Sequence, residues 1–65
     1  MDLLTIETAE QYVRDYFAKI EVKILESSHR EEDSDQIIDV RFEHMGGRHI
    51  FTVWTDEDGK LYGEW

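Results

Sequence analysis

The side chains best suited to chemistry in this sequence are three histidines, His29, His44 and His49. His44 and His49 flank Gly46-Gly47. A two-residue turn at the glycines sets the two imidazoles opposite each other on paired strands, where they can share a metal ion or a proton. A metal centre needs a third ligand, and only His29 or a carboxylate from elsewhere can supply it. The plainer reading is two half-exposed histidines that close the edge of a core. Two acidic runs, Glu31-Glu32-Asp33-Ser34-Asp35 and Asp56-Glu57-Asp58-Gly59, invite comparison with calcium loops. Setting Gly59 at the turn glycine of an EF-hand loop puts Trp54 at the first ligand position. Trp65 then falls where a bidentate Glu is required, so solvated turns explain these runs better. The chain carries no HExxH pair and no phosphate-cradling glycine loop, and Gly46-Gly47 before Arg48 is too short to be one. These residues lead us to expect no enzymatic activity, no cofactor and no small-molecule substrate.

Charge and size narrow the function classes further. The 65 residues hold 16 carboxylates against 7 cations, a formal net charge of −9. That excess repels nucleic-acid backbones and anionic membrane surfaces, so neither is an expected partner. It serves solubility, or a basic partner. In sequence the basic residues Arg14, Lys19, Lys23, Arg30, Arg41, Arg48 and Lys60 are scattered. No run approaches the roughly 18 apolar residues of a membrane span, and no basic-then-apolar signal segment opens the chain. With no cysteine there is no disulfide and no thiolate ligand, and a reducing, cytoplasmic setting is expected. A chain this short forms one domain with a small core.

The elements that position these residues follow from periodicity. Ala9, Tyr12, Val13, Tyr16, Phe17 and Ile20 fall at helical spacing, with Glu10, Gln11, Arg14, Asp15 and Lys19 on the opposite side. Thr8 with Gln11 fits a capping box, and Thr5 is a competing cap. Leu3, Leu4 and Ile6 are expected to fold over the same core. Alternating β-branched residues predict a strand over 21–26, with Val22 and Ile24 on one face. The stretch 29–35 has no apolar residue and reads as a solvated loop. Strands are predicted over 36–45, 48–55 and 60–65. Gly46-Gly47 makes a two-residue hairpin turn, and Asp56-Glu57-Asp58-Gly59 a type I turn closed by a left-handed glycine.

Turn geometry fixes register, and register fixes faces. With the loop at Gly46-Gly47 the opposed pairs include His44–His49, Phe42–Phe51 and Val40–Val53. The second turn pairs Thr55–Leu61, Trp54–Tyr62, Val53–Gly63, Thr52–Glu64 and Phe51–Trp65. One face then carries Ile38, Val40, Phe42, Phe51, Val53, Leu61 and Trp65 for the helix to cover. The expected fold is α+β, one N-terminal amphipathic helix on a four-stranded antiparallel meander in the order α-β-β-β-β. The opposite face holds Asp39, Arg41, Glu43, Arg48, Thr52 and Glu64, but also Ile37, Ile50, Trp54 and Tyr62. A solvated face needs less apolar area than this. A Trp54–Tyr62 pair can serve hairpin stability alone, or Trp54 can anchor a protein interface with Tyr62, Ile37, Ile50 and Arg41 around it. The expected partner is another protein or a second copy of the chain. The alternative is a small-ligand or metal site at His44 and His49.

The segment from Phe51 to Trp65, an apolar strand, an Asp-Gly-Lys turn and a strand closing on Trp, resembles the last hairpin of NTF2-like (SnoaL-like) domains. The helix followed by strands is similar in layout and size to the PepSY module. Both resemblances imply a cystatin-like roll, in which a helix lies in a curled antiparallel sheet. The helices that build the NTF2-like pocket have no counterpart here, so its cavity and catalytic residues do not carry over. The PepSY likeness implies an interaction or inhibitory role.

Overall fold

The computed structural model describes residues 4–65. The helix α1 (Ile6–Tyr16) starts from Thr5, whose side chain accepts from the Thr8 amide at 3.1 Å. The Thr8 hydroxyl accepts from the Thr5 amide at 2.9 Å, completing a reciprocal capping box. The cap is thus Thr5 and not Thr8, one turn earlier, and Glu7 supplies the acidic residue of the first turn. Leu4 packs on the core. Leu3 lies outside the described residues. The helix stops at Tyr16 with Phe17 as its cap, because Phe17 already meets the last core ring, Phe42, at 5.3 Å. Ile20 lies beyond that end, is exposed, and is not part of the helical stripe.

Four strands follow in one antiparallel sheet with spatial order equal to chain order: β1 (Lys23–Glu32), β2 (Asp35–His44), β3 (Gly47–Thr55) and β4 (Leu61–Glu64). The expected α+β order α-β-β-β-β is the observed one. One correction concerns β1, which runs through the stretch expected to be a loop. Residues 29–32 pair with 35–38, and Asp33 and Ser34, both at positive φ, form the two-residue connection. A hairpin tip wet on both faces needs no apolar residue. Its cross-strand contacts are polar, with the Gln36 amide donating to Glu31 at 3.0 Å.

A second correction concerns the β2–β3 register. The turn falls on Met45-Gly46, with φ of 52° and 77°, and Gly47 pairs with His44. Val40 therefore faces Phe51, Phe42 faces His49, and the expected Phe42–Phe51 and His44–His49 pairs do not form. Setting large rings against smaller residues spreads them across the core layer. The slip is two residues, so no side chain changes face. The β3–β4 register is as expected, from Thr52–Glu64 to Thr55–Leu61. Its turn is closed by Gly59 at φ 79°, whose amide donates to the Asp56 carbonyl at 3.0 Å.

The core is a single layer between α1 and the inner sheet face. Ala9, Val13 and Phe17 from the helix bury against Ile38, Val40, Phe42, Phe51 and Val53. Tyr12, Ile24 and Leu61 close its sides. Gly63 is required beside Phe51, because a Cβ there would stand 2.4 Å from the ring. Trp65 covers the open end, 5.2 Å from Phe17 and 5.7 Å from Phe42. Gly63→Ala is expected to cost about 1–3 kcal/mol through overpacking, read as a lower urea midpoint. Met45 is 91% exposed, so Met45→Asn loses no packing and relieves a left-handed strain of about 1 kcal/mol. The urea midpoint is expected to rise. A fall would place the turn at Gly46-Gly47 instead.

Candidate functional site

The outer sheet face, opposite α1, is built from side chains that alternate with the core residues. Cross-strand pairing arranges them in rows. Arg30, Ile37, Trp54 and Tyr62 form the first, with Glu32 and Asp35 paired beyond it at the hairpin tip, and Ser28, Asp39, Thr52 and Glu64 form the second. Glu26, Arg41 and Ile50 form the third, and Lys23, Glu43 and Arg48 the fourth. A β-bulge between Ile24 and Glu26 sets the register of this face on β1. Without it, Glu26, Ser28 and Arg30 would exchange faces with Ser27, His29 and Glu31, and Arg30 would leave Asp39. Leu25, at the bulge, joins Arg41, Arg48 and Ile50 around a shallow depression of about 440 Å³. A second depression of about 310 Å³ lies over Ile37, Thr52 and Trp54 and is rimmed by Arg30 and by the carboxylates Glu32, Asp33, Asp35 and Glu64.

All five residues expected to mark an interaction surface, Trp54, Tyr62, Ile37, Ile50 and Arg41, lie on this face. They do not form one patch. Ile37, Trp54 and Tyr62 share a row, with Tyr62 43% exposed. Ile50 (49% exposed) and Leu25 (39%) stand beyond the polar row. That polar row is pinned in place. The Asp39 carboxylate accepts from Arg30 Nε at 2.8 Å and from the Thr52 hydroxyl at 3.2 Å. Arg30 also pairs with Glu32, and the hydrogen bonds it donates to Glu32 first and Asp39 second raise its pKa above the ordinary guanidinium value. Arg41 donates to the Ser28 hydroxyl at 3.2 Å.

Four of the chain's seven cations, Lys23, Arg30, Arg41 and Arg48, are gathered on this face beside six carboxylates, Glu26, Glu32, Asp35, Asp39, Glu43 and Glu64. The face therefore carries −2 of the chain's −9, against −7 elsewhere. Sequence order hides this, because the four are brought together only by the bulge and the pairing of β2 with β3. One signal was present: adjacent Ile24 and Leu25 break the two-residue alternation and mark the bulge.

The histidines are arranged differently from expectation. His44 and His49 both lie on the helix side, but His44 stacks near Phe17 at 6.2 Å, and His49 packs on Phe42 at 5.4 Å and Trp65 at 5.3 Å. They act as edge packing for the aromatic cluster. His29 pairs with Ile38, four residues along β2 from Phe42, or about 13 Å at the rise of a strand. Among the described residues, no group of three His, Asp or Glu side chains gathers to hold a metal ion. Also among them, no helix is long and apolar enough to cross a membrane. The chain matches no protein-family model, no curated protein and no solved structure. Titration with zinc is expected to leave the imidazole NMR signals of His44 and His49 in place at millimolar metal. Joint movement of both would assign them a site.

Proposed function

We propose that this chain is a non-enzymatic protein-interaction module whose docking surface is the outer sheet face. The observation that carries the reading is the partly apolar character of that face, which also gathers four of the chain's seven cations, on a strongly acidic molecule. The core on the helix side is complete without it, since Ile38, Val40, Phe42, Phe51 and Val53 are already covered by Ala9, Val13 and Phe17. The outer rows thus hold apolar residues that the core does not use. Trp54 is the anchor, as a large ring with Ile37 and Tyr62 on either side. Arg41, Glu43 and Glu64 orient a partner from around it. The resemblance in layout to PepSY modules implies the same kind of role. The cysteine-free composition suits a reducing, cytoplasmic setting.

The reading is tested with a pair of variants. Trp54→Ala removes the anchor from a half-buried outer position, where the lost cross-strand pair is worth about 0.2–1 kcal/mol, so the fold is retained. Phe42→Ala opens a cavity in the core and is expected to cost about 3–5 kcal/mol. With folding checked by circular dichroism, Trp54→Ala is expected to abolish association with any partner the wild type retains. Unchanged association would move the docking surface off this face.

A further inference from the structure

We draw no further inference here: the strongest candidate, the outer sheet face opposite α1 with its shallow depression at Leu25, Arg41, Arg48 and Ile50, is an unpartnered, partly apolar surface, and nothing in the structure shows what covers it.

Discussion

Everything in this fold depends on Phe17 reaching the sheet between Phe42 and Phe51. The three rings lie 5.3–6.3 Å apart and are all buried. A helix of 11 residues is about 16 Å long, while a ten-residue strand extends about 33 Å. The helix therefore covers only the middle of the inner face, and the aromatic cluster is what ties its end to the sheet. The neighbouring choices follow from the size of these rings. Gly63 is there because Phe51 needs its space, and the turn at Met45-Gly46 offsets Phe51 from Phe42. His44, His49 and Trp65 line the periphery, where a flat ring covers apolar surface and keeps a polar edge in water. One helix also means one covered face. The outer face is left to water or to a partner by the same shortage of chain that limits the core.

The element order and the division of faces were legible because both rest on periodicity, which a single sequence displays. Ala9, Val13 and Phe17 announce the helix stripe, and Ile38, Val40 and Phe42 the inner face of β2. What was not legible rests on competition between equivalent local signals. Thr5 and Thr8 are both good caps, and the choice falls to Thr5 because the two threonines satisfy each other's amides. Met45-Gly46 and Gly46-Gly47 are both two-residue turns, and glycine chemistry favours the second. The first wins because core packing rewards Val40 opposite Phe51 by more than a left-handed Met45 costs. The acidic stretch 29–35 looked like a loop because strand prediction weighs apolar content. At a hairpin tip, pairing and ion contacts such as Arg30 with Asp39 suffice. Face assignment survived the register error because the error was an even number of residues, and the outer-face residues could be named even though their neighbours could not.

The placement of charge follows from the same geometry. Carboxylates crowd at the turns, with Asp33 and Asp35 at one hairpin and Asp56, Glu57 and Asp58 at another. At a turn a carboxylate is fully hydrated or engages backbone amides, as Asp56 does with the amides of Asp58 and Lys60 at 2.9 and 2.8 Å. On the sheet face, side chains of neighbouring strands are held about 5 Å apart, so like charges are destabilising and alternation is favoured. The fourth row, Lys23, Glu43 and Arg48, alternates in sign across three strands. The alternation holds along the middle of the sheet and ends at the hairpin tip, where Glu32 faces Asp35. Much of the acid excess therefore sits at the ends of the sheet.

The outer face is best set against the sheet edges, the other route by which a small antiparallel sheet associates. An exposed edge strand offers unpaired backbone groups to any passing strand. Here β1 is a ten-residue edge, but it carries a bulge at Leu25, and its outer half holds His29, Arg30, Glu31 and Glu32. The bulge breaks the regular ladder, and the charges must be stripped of water before a strand can add alongside. At the opposite side β4 spans four residues and leaves the start of β3 without a neighbour, yet Trp65 packs on His49 and crowds that segment. Both edges are therefore defended by devices that cost the core nothing. The outer face is less guarded: Leu25, Ile50 and Tyr62 are exposed on it, although carboxylates border the Ile37–Trp54 row. A sequence selected only for solitude would place lysine or glutamate at Ile37 or Ile50, where side chains contribute little to the core. The contrast between defended edges and an open, partly apolar face is what supports the proposed contact role.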